Sequence, residues 1–529
     1  MRTRQTGPAV WRNLRPLRVV TGAAMAAIDR RAQSEWALPG SVLMENAGAN
    51  AYAAVRDNLW ARSAAPGPLV FVAGRGNNGG DALVMARHAS NGGAGKVVVV
   101  LAAGEPRPGG ASAGNLAACR ALGIPVAVGP DADAAIAAAA WIFDGITGTG
   151  LRAELAAPAA AIVERINAAP GKVVAIDVPS GLHDGYRSGA LVRANATVTI
   201  GLPKRCLYLP AARTAAGEVL VVAAGFPRAL LSDPAIGCDL LTADLLSDLL
   251  PAAAIDAHKG TRGHVAVFAA SPGTTGAGHL ACAAAGRVGA GLVTLYVDAR
   301  TYELVAPAAR STMCRRLEVT NGPELKVLLA RHEALLVGPG WGLDDARLAL
   351  LGELLKAPLP GVLDADGLTL LARLAAEEGK PRRLRGRWVL TPHPGEMGRL
   401  LGIPTSEVLA DPAGAATAAA ERWQATVILK SHVSYVACGA SAAALGSTPL
   451  ALLDGGNAAL GTGGSGDVLA GVVAGLLSRG VTPAAAARAG VLVHAEAARL
   501  ALGAGGWFLA EDLLPHLGRA AWPGTGDAP

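Results

Sequence analysis

The chain has 529 residues, of which 51% are hydrophobic and 17% charged, a balance that is typical of folded globular proteins and excludes disorder as the main theme. Its formal charge is +6, but five arginines precede the first acidic residue, and without them 47 basic against 41 acidic residues become 42 against 41. The nearly neutral remainder gives no reason to expect a nucleic-acid partner, and the length suggests two domains.

Two stretches resemble targeting or membrane segments. The arginine-rich residues 1–18 have no apolar signal core, so we expect a disordered extension, with a transit peptide as the alternative. The uncharged run 433–453 is long enough to cross a membrane, but glycines, serines and Pro449 interrupt it. This run therefore predicts two strands and a turn, and we expect no membrane association.

The cysteines indicate the redox environment. They are far apart and form no CxxC pair, at Cys119, Cys206, Cys238, Cys282, Cys314 and Cys438. This spacing argues against zinc and against a disulfide framework, and it favours a reducing cytoplasm.

From about Leu69 the chain repeats an apolar strand, a small or polar loop and a helix. LVFVAG, KVVVVLAAG, WIFDGITGTG and VVAIDVPSG are such strands in the first half, and six more follow His258. The pattern fades between Gly225 and Asp256, where prolines and short segments indicate a linker with one or two short helices. We therefore predict two α/β domains with parallel sheets, joined near residues 226–237.

Polar residues close the strands of the first half, where ligands of parallel sheets bind. They are Asn77, Asn78, Asp81, Asp144, Asp177 and Ser180. Each alone is typical of a turn or a helix cap. Together, as oxygen donors without His or Cys, they favour an alkali or alkaline-earth cation or a polyhydroxylated ligand. Residues 74–79 of the GRGNNGGD segment have the GxGxxG spacing, but this fingerprint is given little weight as evidence for a dinucleotide fold.

Near the C-terminus, GTGGSGDVLAG places five glycines around Asp467, before a predicted helix. Small residues let backbone N–H groups approach an anion, so the stretch predicts an anion hole with a carboxylate at its edge. Since a carboxylate repels phosphate, Asp467 is better suited to act as a base than to bind phosphate. A glycine-rich turn with a capping Asp is the alternative.

These motifs, in their order, carry a resemblance to a known family. LMENAG, GRGNNGGDALVMARH, FDGITGTGL, AIDVPSGL and GLPKRCLYLP resemble the NAD(P)H-hydrate epimerase domain. HKGTRGHVAVFAASPGTTGAGHL, VGPGWG, LDADGL, LTPHPGEM and GTGGSGDVLAG resemble the ADP/ATP-dependent NAD(P)H-hydrate dehydratase. The match runs from about Val19 to Leu517 and resembles the bifunctional repair enzymes of bacteria. It implies a Rossmann-like epimerase domain over 19–228 and a ribokinase-like dehydratase domain over 237–520.

The resemblance implies repair of NADH and NADPH hydrates by epimerisation of the R and S forms at C6 of the nicotinamide. Asp177 is then the candidate acid/base. The hydrate would be bound by Asn77, Asn78, Gly79, Gly80, Asp81, Gly148, Thr149, Gly150, Leu151, Arg152, Ala153, Glu154 and Asp177. Asn78, Asp144 and Ser180 match the family's potassium ligands. Ala82 stands where the family usually has a third glycine.

For the second half the resemblance implies dehydration of the S hydrate with ADP or ATP as co-substrate, together with Mg²⁺. Asp467 would deprotonate the C6 hydroxyl, and the amides of Gly463 to Gly466 would stabilise the phosphoryl group. Ala277, Gly340, His393 and Asp467 match hydrate-binding positions. Nucleotide-binding positions are matched by Lys430, Ser431, His432, Val433, Ser434 and Gly466, with Ser431 in place of the usual glycine.

Two other functions fit parts of the pattern. The second half could phosphorylate a small alcohol, because the glycine-rich loop and Asp467 serve either reaction. The first half could be a binding module for RNA or protein, although Asp177 together with the oxygen donors favours catalysis. We expect small-molecule substrates, a homo-oligomer and a cytoplasmic location. The sequence does not decide between ADP and ATP or between the NADH and NADPH hydrates.

Overall fold

The computed structural model describes residues 3–5, 14–60, 67–233, 235–250, 255–318, 322–439 and 448–522. The chain divides into two compact units, Met1–Cys238 and Asp239–Pro529. Each unit contains a largely parallel sheet covered by helices, so the predicted α/β class is confirmed.

The first unit is a doubly wound sheet. The strands of this sheet are β1 (Thr3–Gln5), β3 (Leu69–Ala73), β4 (Val97–Leu101), β5 (Val126–Ala127), β6 (Trp141–Gly145), β7 (Lys172–Ile176), β8 (Ala196–Ile200) and β9 (Glu218–Val222), whereas the short strand β2 (Leu17–Arg18) is not part of it. Its helices are α1 (Gly22–Glu35), α2 (Gly40–Asn58), α3 (Asn77–Asn91), α4 (Ala111–Ala121), α5 (Pro130–Ala137), α6 (Ala157–Ala168) and α7 (Arg228–Leu231). In the strand order β1-β9-β8-β7-β6-β3-β4-β5, all neighbouring strands are parallel. Successive strands are added on one side from β3 to β5 and on the other side from β6 to β9. The topological switch point therefore lies between β3 and β6, as in the predicted Rossmann-like domain.

Both faces of this sheet are buried, which explains its nearly continuous apolar strands. Along β3, Leu69 and Phe71 join the core that includes α2 and α3, while Val70 and Val72 join the core that includes α5 and α6. Alternate side chains of a strand point to opposite faces, so both sets must be apolar. Phe71 stacks on Phe143 of the neighbouring strand with ring centroids 4.3 Å apart.

The expectation of a disordered N-terminal extension is wrong for residues 3–5 and 14–18. Leu14 and Leu17 are buried, and residues 17–18 form β2. Residues 3–5 form β1, which pairs in parallel with β9, Thr3 opposite Val219. The edge of β9 offers unpaired backbone groups that the arriving segment can satisfy. Residues 1–2 and 6–13 lie outside the described residues.

The second unit has a mixed sheet. Its strands are β10 (Cys238–Leu240), β11 (His264–Phe268), β12 (Leu292–Val297), β13 (Met313–Arg316), β14 (Ala334–Val337), β15 (Gly361–Leu363), β16 (Trp388–Leu390), β17 (Thr426–Leu429), β18 (Ser434–Cys438) and β19 (Leu450–Leu453). The order β13-β12-β11-β14-β15-β16-β17 is parallel, and β18 and β19 continue it in antiparallel fashion.

The helices of the second unit cover this sheet. They are α8 (Leu246–Leu249), α9 (Thr275–Arg287), α10 (Ala299–Val305), α11 (Gly322–Leu329), α12 (Asp345–Leu354), α13 (Asp366–Glu377), α14 (Pro394–Leu401), α15 (Thr405–Ala410), α16 (Pro412–Trp423), α17 (Ser465–Ser478), α18 (Pro483–Gly505) and α19 (Leu514–Ala521). Helix α17 is buried along its length from Val468 onwards. A Cβ on its Gly471 would collide with the carbonyl of Ala281 in α9, so the glycine permits close helix packing. This packing fixes the start of α17.

The uncharged run 433–453 forms two antiparallel strands, β18 and β19, as predicted. The predicted turn falls on residues 440–447, which lie outside the described residues. Across the part of the chain that the structure describes, no helix combines the length and the apolarity needed to span a membrane. All six cysteines are free.

Candidate active sites

A cleft of about 1020 Å³ opens at the carboxyl ends of β3, β6 and β7 in the first unit. Several residues that the sequence selected line it, namely Asn77, Asn78, Asp81, Gly148, Thr149, Gly150, Leu151 and Asp177. Strands β3, β6 and β7 are adjacent and parallel, so their final residues meet at one edge. The cleft is therefore built where the strand pattern places ligands.

The start of helix α3 explains the glycines of GRGNNGGD. A Cβ on Gly79 would collide with the carbonyl oxygen of Gly74, and one on Gly80 would lie 2.5 Å from both Met44 Sδ and Ser112 Oγ. Both glycines thus lie beneath the cleft and let the helix begin close to β3. Ala82 is fully buried, and its methyl group faces Gly145, where a further Cβ would not fit.

Asp177 follows the end of β7 and lies beside the buried ammonium group of Lys204. Its φ is +67°, a left-handed conformation that is unusual for a residue with a Cβ. Lys204 Nζ contacts Asp177 Oδ1 and donates to Ile200 O at 2.5 Å and Thr199 Oγ1 at 3.2 Å. Lys204 has no exposed surface, so its charge is compensated by this carboxylate.

Asp81 is a second carboxyl group in the cleft. Burial, and then the nearby Asp177 carboxylate, raise the pKa of Asp81 well above its ordinary value, although Lys204 opposes the shift. A neutral Asp81 can donate a hydrogen bond while Asp177 accepts one. Lys204 was not predicted as a site residue, although it lies within GLPKRCLYLP, where a lysine among apolar residues was the available signal.

Hydrogen bonds through Thr147 connect Asn78, which lines the cleft, with Asp144 and Ser180, which are fully buried behind its lining. Ser180 donates from Oγ to Asp144 Oδ1 at 2.5 Å and from its backbone to Oδ2 at 2.8 Å. Asn78 Nδ2 donates to Thr147 O at 2.9 Å, and Thr147 N donates to Ser180 Oγ at 2.9 Å. Asn78 Oδ1 is buried and has no hydrogen-bond partner. An unpaired buried acceptor beside a carboxylate fits a cation.

Asp144 is fully buried, and burial raises its pKa to about 6, although hydrogen bonds from Ser180 and Ile146 act to lower the pKa. Among the described residues no cluster of three or more His, Cys, Asp or Glu side chains could hold a metal. One carboxylate with neutral oxygens matches a singly charged, hard cation better than a transition metal.

The rest of the predicted loop lies further out. Arg152, Ala153 and Glu154 are exposed and are not part of the lining of the cleft. They belong to the segment after Leu151, which contains no helix or strand before α6.

In the second unit, Asp467 lies in the first turn of α17. The preceding Gly464 caps this helix with φ +89°, and a Cβ there would lie 2.6 Å from Leu280 of α9. Burial, followed by the Asp364 carboxylate, raises the pKa of Asp467 to about 7, and Lys430 opposes the shift. Asp366 and Glu396 contribute in the same direction as Asp364. A carboxyl group with this pKa can exchange a proton near neutral pH.

Lys430 follows β17 and links the other parts of this site. Its Nζ donates to Asp364 Oδ1 at 2.7 Å, and Thr391 Oγ1 donates to the same oxygen at 2.7 Å. A Cβ on Gly466 would lie 3.2 Å from Lys430 Nζ. Burial alone would lower the pKa of Lys430, but Asp364 and then Glu396 outweigh it and raise the pKa.

His393 begins helix α14. Its Nδ1 accepts from Glu396 N at 3.4 Å, and Glu396 Oε2 accepts from His393 N at 2.8 Å, forming a capping box, while Nδ1 also accepts from Gly395 N at 3.0 Å. The His393 side chain is about half exposed, at 53%, so its ring also remains accessible to a ligand. The turn role and the binding role that the sequence suggested are compatible.

Gly340 and Ala277 lie on neighbouring elements. Gly340 follows β14 with φ +54°, and its carbonyl accepts from Thr274 Oγ1 at 2.8 Å. Ala277 lies in the first turn of α9, which begins at Thr275. The carboxyl ends of β11, β14, β15, β16 and β17 thus meet around the start of α17.

The segment after Lys430 has an ordinary backbone. Ser431 is not among the described residues with positive φ, so its side chain causes no backbone strain at the position of the usual glycine. Ser431 Oγ lies 3.2 Å from His432 Nδ1, Val433 is fully buried, and Ser434 begins β18.

Asp364, Asp366 and Glu396 are site residues to which the sequence analysis gave no role. Asp364 and Asp366 flank Ala365, whose φ is +47°, and Gly342 N donates to Asp366 Oδ2 at 2.7 Å. The signal was available in LDADGL and TPHPGE, where acidic residues follow predicted strands.

Two family models match the chain. One is described as "YjeF-related protein N-terminus" and matches residues 40–206, and the other is described as "NAD(P)H-hydrate dehydratase" and matches residues 265–517.

Curated relatives are similar over nearly their whole length. A bifunctional NAD(P)H-hydrate repair enzyme Nnr of Coxiella burnetii is 38% identical over 90% of this chain and 93% of its own. The Moorella thermoacetica enzyme of the same name is 36% identical over 90% and 91%. The Escherichia coli enzyme of that name is 30% identical over 87% and 86%.

Solved structures resemble the second half. A ribokinase-like superfamily protein from Enterococcus faecalis V583 is 24% identical with a TM-score of 0.47, covering 54% of this chain and 95% of its own. The ADP/ATP-dependent NAD(P)H-hydrate dehydratase of Bacillus subtilis, co-crystallised with ATP/Mg²⁺, is 27% identical with a TM-score of 0.45, covering 53% and 96%.

Proposed function

The chain belongs to the family of bifunctional NAD(P)H-hydrate repair enzymes, and we infer that it returns hydrated NADH and NADPH to the reduced cofactors. One activity epimerises the R and S hydrates at C6 of the nicotinamide, and the other dehydrates the S form with ADP or ATP. The observation that carries this conclusion is the 38% identity over 90% of the chain, which spans both halves.

We assign the epimerase to residues 19–228 and the dehydratase to residues 237–520. The two family-model matches, 40–206 and 265–517, lie inside these ranges and support the assignment. Each range also contains one of the two candidate sites.

For epimerisation we propose that Asp177 is the acid/base. C6 of the hydrate bears a hydroxyl next to the ring nitrogen, so the nitrogen lone pair can expel it and water can return to the other face. Expulsion needs a proton on the leaving oxygen, and re-addition needs one removed from the incoming water. Lys204 contacts the Asp177 carboxylate in the cleft, and Asp81, whose pKa burial raises well above its ordinary value, is a second carboxyl group that can take part in proton transfer.

We propose that Asn78, Asp144 and Ser180 hold a potassium ion. The buried Asn78 Oδ1 without a partner and the fully buried Asp144 support this assignment. When bound, the cation supplies positive charge behind the lining of the cleft that favours an ionised Asp144. The chain's own donors then fix the Thr147 loop through Ser180 and Asn78.

For dehydration we propose that Asp467 takes the proton of the C6 hydroxyl. The oxygen then attacks the terminal phosphoryl group of the nucleotide, and the bond from that phosphorus to the leaving nucleotide oxygen breaks. Phosphate is a better leaving group than hydroxide, so the ring nitrogen expels it, and loss of the C5 proton restores the reduced nicotinamide. Backbone amides of Gly463 to Gly466 stabilise the phosphoryl charge.

We assign Lys430 to the nucleotide phosphates, with Ser431 to Ser434 and Gly466 around the nucleotide. The proximity of Gly466 to Lys430 Nζ supports this placement. Mg²⁺ bound through one or two carboxylates and the nucleotide phosphates fits a site that contains Asp364 and Asp366. Ala277, Gly340 and His393 remain proposed hydrate contacts. A homo-oligomer and a cytoplasmic location stay predictions from the sequence.

One assay tests the function and its rival. Purified full-length protein is incubated with mixed hydrate epimers, and the return of reduced-nicotinamide absorbance is followed with ADP, with ATP and without nucleotide. Repair predicts recovery of absorbance that depends on nucleotide. A stable phosphorylated product without recovery of absorbance would instead identify the second unit as a small-alcohol kinase.

A further inference from the structure

The second unit contains another pocket, which lies at the amino ends of its parallel strands, whereas Asp467 lies at their carboxyl ends. Its volume is about 700 Å³, within the range of small-ligand sites. Lys356 and Arg387, in its walls, precede the parallel strands β15 and β16, whereas Asp364 and Lys430 follow β15 and β17. The pocket therefore shares no residue with the candidate active site.

The lining of this pocket is strongly basic. It includes Lys356, Lys380, Arg382, Arg383, Arg385 and Arg387, with Glu378 as the acidic member. Arg382 Nε donates to both oxygens of Glu378 at 2.9 Å, and Lys356 pairs with Glu353 at 2.5 Å. Within the described residues, Lys380, Arg383 and Arg385 make no ion pair. The nearly neutral balance of the chain after its five N-terminal arginines thus hides a local excess of positive charge.

Arg387 carries an unsatisfied donor at this pocket. Its Nε is buried and has no hydrogen-bond partner, and its Nη2 is 3.5 Å from Ala357 O, which is a weak contact. A buried guanidinium donor without an acceptor is costly, and an anionic ligand could supply that acceptor.

The loop that carries these residues has an unusual backbone. Arg385 has φ +54°, which is unfavourable for a residue with a Cβ, and Gly386 follows with φ +72°. The turn is fixed by Gly386 N, which donates to Gln424 O at 2.7 Å, and by Leu384 N, which donates to Trp423 O at 2.8 Å. Because Arg385 lies in the pocket wall and is kept in this left-handed conformation, we infer a role for it other than turning the chain.

We propose that this pocket binds a small ligand with two or more phosphate groups, such as a nucleoside polyphosphate, at a site separate from the nucleotide used in dehydration. Arginine forks match phosphate oxygens in pairs, and several forks around one cavity fit more than one phosphate. No aromatic side chain is among the described residues of the lining, so there is no stacking platform for single-stranded nucleic acid.

Calorimetry of the full-length protein with inorganic tripolyphosphate tests the proposal. The variant Arg383→Ser/Arg385→Gly removes two unpaired charges, and glycine suits the left-handed position. The matched control, Lys326→Ser/Arg331→Ser, removes two exposed charges of the same unit outside the pocket. We expect the pocket variant to weaken tripolyphosphate binding by about tenfold or more and the control to leave it unchanged.

Two further variants keep the result decisive. Lys430→Met reports on phosphate bound at the candidate active site, and it should leave the pocket component of the isotherm intact. Lys380→Ser replaces the double variant if that one fails to fold, and it should weaken binding in the same direction. Equal affinity in pocket and control variants, or binding lost only in Lys430→Met, would overturn the proposal. It would also be overturned by a short RNA that binds through Arg383 and Arg385 more tightly than tripolyphosphate.

Discussion

Asp467 is partly buried near Asp364, Asp366 and Glu396, and Lys430 partly offsets the charge of these carboxylates. We predict that Asp467→Asn keeps the fold and nucleotide binding, because the amide has nearly the same shape. Dehydration should fall by about 100-fold or more, since an amide cannot accept the proton of the C6 hydroxyl. Nucleotide-dependent recovery of absorbance measures this loss. Epimerisation by the same variant serves as the control, and near-normal dehydration would remove Asp467 from the mechanism.

The pH dependence of dehydration follows from the same carboxyl group. Its pKa is raised to about 7 by burial and by Asp364, so below that pH most molecules carry a protonated, inactive base. We predict that kcat/KM for dehydration rises with pH up to about 7 and then levels. Initial rates across this range measure it. A profile that is already flat from about pH 5 upwards would show that another group limits the reaction.

Asp144 makes a different pH prediction, which concerns stability. Burial raises its folded pKa to about 6, above the ordinary value of 3.8, so the folded state holds the proton more tightly than the unfolded state. Without a cation, the stability contributed by protonated Asp144 is lost as pH rises between these values. Potassium binds the ionised carboxylate, so we predict that it raises the melting temperature more at about pH 7.5 than at about pH 5.

Thermal melts in potassium chloride and in choline chloride of equal ionic strength measure this difference. Asp144→Asn should abolish the potassium-specific part, because the amide does not carry the charge. An equal effect of both salts on the natural protein at every pH would exclude a potassium site at Asn78, Asp144 and Ser180.

At the scale of elements, the start of α3 depends on two glycines with different surroundings. A Cβ on Gly79 would collide with the Gly74 carbonyl, whereas one on Gly76 would meet nothing within 4 Å. We predict that Gly79→Ala lowers the free energy of unfolding by about 1–3 kcal/mol, because the helix must shift. Gly76→Ala, the matched control, should change it by less than about 0.5 kcal/mol. Urea unfolding of both variants measures the difference, and equal stabilities would contradict the predicted collision.

The sequence predicted the elements that position both sites, because apolar strands and glycine-rich turns are local patterns. Alternation of strand and helix was enough to place Asp144 and Asp177 at the carboxyl ends of strands and Asp467 at a helix start. It did not reveal that Lys204 pairs with Asp177 or that Lys430 pairs with Asp364. These pairs are separated by 27 and 66 residues, and they form only when the sheet is assembled.

The same limit explains two other differences. β1 depends on an open edge of β9, a partner more than 200 residues away, so an arginine-rich start with no periodic pattern gave no signal for it. The basic pocket was missed because composition reports total charge rather than where charge collects. Residues 380–387 contain five cations in one loop, and only the fold brings Lys356 beside them.

Two activities in one chain imply a division of labour that full-length variants can expose. We predict that Asp177→Asn dehydrates a mixed sample only until the S hydrate is exhausted, and then stalls with about half of an equal mixture unrepaired. The R hydrate remains because the dehydratase accepts one epimer and the first unit no longer interconverts them. Absorbance at early times must be followed, since the epimers also interconvert slowly without an enzyme.

Adding full-length Asp467→Asn to the stalled reaction should restart it, because that variant still epimerises while Asp177→Asn still dehydrates. Heat-denatured Asp467→Asn is the control, because it adds the same preparation without folded enzyme and should not restart the reaction. The hydrate leaves one protein molecule and enters another in this experiment, so restored conversion also shows that the two sites exchange substrate through solution. Complete rapid conversion by Asp177→Asn alone would mean either that the dehydratase accepts both epimers or that Asp177 is not the acid/base of epimerisation. A stalled reaction that the second variant fails to restart would show that Asp467 also serves the epimerase, which contradicts the assignment of one site to each unit.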